Sequence, residues 1–248
     1  MTPRRTAGLA AGLLLAAAAA AQEPKADPKA APAGQPGQPV PGTFRAFLVA
    51  DGRFPPKVPE PKRAEDRDPR DRTRKMHDLV TEYGLSPVVA VFVRADPKEL
   101  EASGVVKLVR AVDKKIPAYR ADKLAGFVQF LRVEGEAKAV TLTAPDGTTR
   151  QVELDAEFPD DEKRDVYAGE VEQLAKAAAA PNVPFGLAPA AGKAADAWGL
   201  KAADEVTVVI YSRMRVAKRW TFPAAGPTDE QVAEVIKETE AMIADIGK

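Results

Sequence analysis

The side chains that could carry chemistry in this chain are few and scattered. Its 248 residues include no cysteine and one histidine. The missing sulfur removes thiol nucleophiles, disulfides, cysteine-ligated zinc and iron-sulfur centres together. His77 lies between Met76 and Asp78 with no second histidine to complete a metal site, and it reads as a surface or half-buried helix residue. Ser86, Ser103 and Ser212 fall in turns or helix starts, without the Gly-x-Ser-x-Gly context that presents a nucleophile. The acidic group Asp155, Glu157, Asp160, Asp161 and Glu162 offers calcium its preferred oxygens but lacks the spacing and glycine of a ligand loop. Acids at a helix start are expected from the helix dipole alone. There is no glycine-rich phosphate loop, so neither a metal nor a cofactor is expected.

Two groups remain as candidate binding residues. Asp96 and Glu99 flank Pro97 where an apolar run gives way to a helix, and they could line a small polar site, though helix capping is the simpler reading. Arg213 and Arg215, followed by Lys218, Arg219 and Trp220, form the best candidate surface for an anionic partner. Period-two alternation sets Lys218 and Trp220 on one face of a strand and Arg219 on the other. These charges therefore make no single patch, and a charged edge that discourages strand addition explains them as well.

The elements that must position these groups begin with Pro87-Val88-Val89-Ala90-Val91-Phe92-Val93, closed by Arg94-Ala95-Asp96-Pro97. A short β-branched run of this kind predicts a strand buried on both faces, and hence a sheet with helices on each side. Before it, Arg4-Arg5, the apolar block Ala7 to Ala21 and the small residues ahead of Gln22 predict a signal peptide over residues 1–21. Whether the block is cleaved or kept as an anchor, the expectation is export to the periplasm or the outside. Residues 22–42 contain six prolines and only Val40 as a large aliphatic side chain, which predicts a disordered linker. Residues 43–248 then form one domain.

Charge is balanced, with 36 Lys and Arg against 36 Asp and Glu, or 34 against 36 once Arg4 and Arg5 leave with the signal. No global field draws such a protein to nucleic acid or anionic lipid.

Within the domain, Thr43 to Ala50 reads as a strand ended by Asp51-Gly52. Asp68 to Gly84 reads as a helix with Met76, Leu79, Val80 and Tyr83 at helical spacing. A second helix follows Asp96-Pro97, from Leu100 to Ile116, and Leu124 to Val133 is the next strand. Two strand-helix-strand steps predict parallel pairing through right-handed crossovers. A hairpin insertion spans 137–157 around Asp146-Gly147, and Asp160 to Ala175 reads as a helix. The chain is read as irregular through Pro184-Phe185-Gly186, then helical from Ala194 to Trp198. Val206 to Tyr211 and Val216 to Phe222 predict a closing strand pair. Thr228 with Gln231 predicts a capping box for the last helix.

This order resembles the thioredoxin-like fold, and several stretches are similar to its redoxin branch of peroxiredoxin-like proteins and exported disulfide reductases. Pro87 to Val93 resembles the strand that leads into that branch's active site, Ala194 to Leu200 its short helix with an aromatic-Gly ending, and Val206 to Phe222 its closing hairpin. The resemblance implies a three-layer α/β sandwich with a mixed central sheet of about five strands. It also implies a thiol in the segment that here reads Asp96-Pro97-Lys98-Glu99-Leu100, and a proline, usually cis, in the segment that here reads Ala203-Asp204-Glu205-Val206-Thr207. Neither residue is present, and thiol-disulfide exchange without a thiol cannot proceed. The leading expectation is a binding or scaffolding module whose partner is a protein or envelope component. The second is a non-thiol enzyme using Asp96, Glu99 or the residues around Pro184 and Gly186.

Overall fold

Six apolar side chains in succession leave no face of a strand for water, and all six residues of Val88–Val93 are buried. The computed structural model describes residues 34–52, 71–133, 139–153, 158 and 160–246. In chain order its strands are β1 (Arg45–Ala50), β2 (Met76–Asp78), β3 (Val88–Val93), β4 (Ala125–Val133), β5 (Ala139–Thr143), β6 (Thr149–Glu153), β7 (Phe185–Pro189), β8 (Val206–Ser212) and β9 (Arg215–Phe222). The helices are α1 (Leu79–Tyr83), α2 (Gly104–Ala118), α3 (Asp161–Ala178), α4 (Lys193–Ala197) and α5 (Asp229–Ile246).

Seven strands pair in the order β2-β1-β7-β4-β3-β8-β9, and β5-β6 form a separate hairpin. The β3-α2-β4 crossover is parallel, with Val88 opposite Ala125 and Val93 opposite Phe130. On its other side β3 runs antiparallel to β8, with Val88 opposite Tyr211 and Val93 opposite Val206. β3 is therefore central, and burial on both faces follows from its place.

Alternation divides the core into two layers. Val89, Val91, Val93, Phe130, Val208 and Ile210 face one way and pack against Leu108, Val112, Val171, Leu174, Val235 and Ile243 of α2, α3 and α5. Val88, Ala90, Phe92, Phe127, Val209 and Tyr211 face the other way, toward Leu79, Val80 and Trp198 beside α1 and α4. This second layer is aromatic, with Phe92 5.0 Å from Phe44 and 5.2 Å from Trp198 between ring centroids. Together the strand order, the parallel crossover, the closing β8-β9 hairpin and helices on both faces make this a thioredoxin-like three-layer sandwich.

The sheet has seven strands rather than about five. Phe185–Pro189, expected to be irregular, is a fully buried strand between β4 and β1. Its proline and glycine hid it. Pro184 precedes the first strand residue, and Gly186 lies where an added Cβ would come 3.0 Å from that of Ala46. Met76–Asp78, expected to be helical, forms a three-residue edge strand on β1, and the helix starts only at Leu79. The Asp78 carboxylate ends one element and begins the next by accepting from the Phe44 and Thr81 amides. The last helix begins as expected: the Thr228 amide donates to Gln231 Oε1 at 2.9 Å and the Gln231 amide to Thr228 Oγ1 at 3.3 Å.

Residues 34–40, read with the linker, lie along β9 in this structure. The Gly37 amide donates to Val216 O at 2.8 Å, the Val216 amide to Gln38 O at 2.9 Å and the Val40 amide to Met214 O at 2.9 Å. Val40 is buried in the aromatic layer.

Candidate functional site

The segment that follows β3 is where a redoxin would hold its thiol. Asp96 caps a single 3-10 turn, Pro97–Glu99, and its carboxylate accepts the Lys98 amide at 3.0 Å. Proline at the first turn position supplies the φ the turn needs and no amide that would go unpaired. Beyond it, Gly104 opens α2 against the chain entering α5. Its amide donates to Ala225 O at 2.9 Å, and a Cβ on Gly104 would meet Pro227 O at 1.8 Å. No side chain but hydrogen fits there.

Two cations tie the turn to its neighbours, Arg132 from outside it and Lys98 from within it. Arg132, on β4, donates from Nη2 to Asp96 Oδ2 at 3.1 Å and from Nη1 to Arg94 O at 3.4 Å. Its guanidinium lies 5.3 Å from the centre of the Tyr167 ring on α3. Lys98 reaches the same helix, with Nζ 2.8 Å from Glu170 Oε1. The hydrogen bond that Lys98 donates to Glu170 raises its ammonium above the ordinary lysine value.

Arg94 ties a third group of segments together. Its guanidinium donates to Ala190 O at 2.7 Å and Leu200 O at 2.8 Å, and its amide to Glu205 O at 2.7 Å. Burial lowers its pKa, opposed by the charges of Asp204, Glu205 and Asp196. The tip of β3 is thus pinned to the chain on both sides of α4.

Of the candidate residues, Asp96 is committed to the turn and to Arg132, Pro97 is buried, and Glu99 is exposed. Arg213 and Arg215 are at the opposite end of the sheet, because β8 runs against β3 and delivers its turn beside Val88. Arg213 donates to Ile246 O at 3.0 Å and Arg215 to Gly37 O at 3.4 Å. The alternation expected for β9 holds in the contacts. Lys218 pairs with Glu238 at 3.2 Å and Trp220 Nε1 donates to Glu234 at 3.2 Å, both toward α5, whereas Arg219 points to the other face. There Arg219 donates to Trp198 O at 2.7 Å and Gly199 O at 2.8 Å.

Sequence reasoning passed over Arg132, Lys98, Glu170 and Tyr167, which come together only through β4, the turn and α3. One signal was available: Arg132 is a charge inside the apolar run Phe130-Leu131-Arg132-Val133. His77, read as a surface or half-buried helix residue, is half-buried but on strand β2, with Nδ1 2.7 Å from Glu82 Oε1. Among the described residues no group of three or more His, Asp or Glu side chains could hold a metal, and no helix is long and apolar enough to cross a membrane. Asp155 and Glu157 of the acidic group lie outside the described residues.

No family model matches the chain, and no curated protein matches it in sequence. Among solved structures it is similar to Enterococcus faecalis AhpC, at 11% identity and a TM-score of 0.47 over 87% of this chain and 97% of that one. It is also similar to a thiol:disulfide interchange protein DsbE from Chlorobium tepidum, at 12% identity and a TM-score of 0.45 over 85% of this chain and 97% of that one. Plasmodium vivax 2-Cys peroxiredoxin matches at 12% identity and a TM-score of 0.44 over 86% of this chain and 99% of that one. Strand order and direction, not these distant likenesses, carry the fold assignment.

Proposed function

We propose that this chain is an exported thioredoxin-like domain that acts by binding a protein or another component of the cell envelope, without thiol redox chemistry. One observation carries the reading. In a chain with no cysteine, the turn after β3 is closed by the Asp96–Arg132 and Lys98–Glu170 ion pairs. An attacking sulfur is absent, and the charged groups that could have steered one are spent on each other. Export is supported by the Arg4-Arg5 start and the apolar block after it.

Purified protein is expected to show background rates in insulin reduction with dithiothreitol and in peroxide consumption. Turnover above buffer in either assay overturns the reading. For export, residues 1–42 fused to alkaline phosphatase are expected to give active enzyme outside the cytoplasm, and a fusion retained inside removes that part of the proposal. Photo-crosslinking in intact cells from Glu99 and from Arg213 then tests which end of the sheet meets a partner.

A further inference from the structure

The outer edge of β9 carries a ligand that belongs to the chain itself. Residues 34–40 lie antiparallel to β9 and bond to it through the amides of Gly37, Val40 and Val216. Side chains specify the fit at both ends. Val40, at 7% exposure, enters the aromatic layer with Phe44, Trp198 and Val216. Gly34 is buried at φ +78, and a Cβ there would come 3.0 Å from Trp198 O. Between them Arg215 and Arg219 reach the carbonyls of Gly37 and Gly34 at 3.4 and 3.5 Å. A proline-rich spacer has no need of such contacts, since its composition gains nothing from order.

We propose that the β9 edge is a peptide site for an extended Gly/Pro-rich segment that places a small residue beside Trp198 and a branched aliphatic residue six positions later in the aromatic layer. In the resting chain residues 34–40 occupy it, and a partner peptide of the same pattern binds by displacing them. The chemistry is strand addition: backbone hydrogen bonds supply affinity, and the two end pockets supply selectivity. This deepens the binding reading above by naming a ligand class. It stands or falls separately, because its test involves no envelope partner and no redox assay.

The test is hydrogen exchange on the full chain, with a synthetic peptide of residues 33–42 as the probe. In the native protein the amides of Gly37, Val40 and Val216 are expected to be protected. In Val40→Asp, and independently in Gly34→Val, protection at all three is expected to fall roughly tenfold or more while β3 and β4 keep theirs. Adding the peptide to either variant is expected to restore protection at Val216, whereas a peptide with aspartate at the valine position is not. Three results overturn the proposal: unprotected amides in the native chain, variants that exchange like the native chain, or no rescue by peptide. A concentration-dependent dimer that restores Val216 without peptide also overturns it, since the edge then takes a second copy.

Discussion

Two places in this domain are closed by opposite means. At the tip of β3, side chains do the closing: Arg132 and Lys98 reach from different elements to neutralise Asp96 and Glu170. Along β9, backbone does it, with residues 34–40 bonded to Met214 and Val216. The first closure joins β4, the turn and α3, all elements of the sheet and its covering layer. The second joins the fold to a segment that can leave. In a chain without cysteine, the turn after β3 is closed by ion pairs and the β9 edge by a segment of the chain itself.

The largest effect expected from breaking this comparison is at Phe92, which supports both closures. Its ring packs on Phe44 and Trp198 in the layer that also holds Val40, and its strand ends ahead of the Asp96 turn. Phe92→Ala is expected to cost about 3–5 kcal/mol in urea unfolding, in the range for a large aromatic removed from a core. A cost below about 1 kcal/mol would mean that the aromatic layer is loosely packed.

Gly104→Ala separates the two regions. The new methyl would collide with Pro227 O, so α2 must move away from the chain entering α5. A loss of about 3 kcal/mol is expected, with faster exchange at the Asp96 turn and unchanged exchange at Val216. Equal loosening at both places would show that they are coupled.

Arg132→Met removes the cation over Asp96 while keeping much of the apolar stem. Because the pair is partly exposed, with side chains at 23% and 33%, the expected cost is about 1 kcal/mol. The difference from the native protein should shrink in 1 M salt, whereas the backbone bonds between residues 37–40 and β9 should respond to salt much less.

Tyr211→Phe sharpens the picture of the aromatic layer. The Tyr211 hydroxyl is buried and has no hydrogen-bond partner among the described residues, so its loss is expected to be neutral or stabilising by about 1 kcal/mol. Burial holds the phenol above the ordinary range. As pH climbs past the usual 10.0 the unfolded chain releases this proton first, and stability falls. The phenylalanine variant should lack that alkaline component in its melting curve.

The smallest effect is expected at Glu240, which lies outside both regions and serves as their control. Its hydrogen bond from Lys115 holds the carboxyl below the ordinary 4.5. The stability it contributes is present above 4.5 and is lost as pH falls through the lower folded value. Glu240→Gln should flatten that acid limb slightly and leave exchange at both closures unchanged.

Much of this architecture was legible in the chain because its signals are local. Val88–Val93 announced a strand covered on both faces, Thr228 with Gln231 a helix start, and Asp146-Gly147 a hairpin turn. The strands missed were the ones whose local signal points elsewhere. Pro184 and Gly186 read as loop but lie where the sheet demands a slim strand, and Met76 belongs to a helical spacing that the chain does not use. The closures were less legible still. Asp96 and Arg132 are separated by 36 residues, and Gly34 and Arg219 by 185, so no window of sequence holds either pair.

Cysteine content, the apolar run of β3 and the alternation of β9 are properties of the sequence by itself. They determined that the chain carries no cysteine thiol, that β3 is covered on both faces, and that Lys218 and Arg219 point opposite ways. Only the tertiary structure decided that the Asp96 turn is tied to β4 and α3, that Arg213 and Arg215 are far from it, and that part of a proline-rich stretch is bound to an edge. The physical reason is that periodicity reports which side of an element is apolar, whereas ion pairs and strand addition depend on which elements the fold brings together.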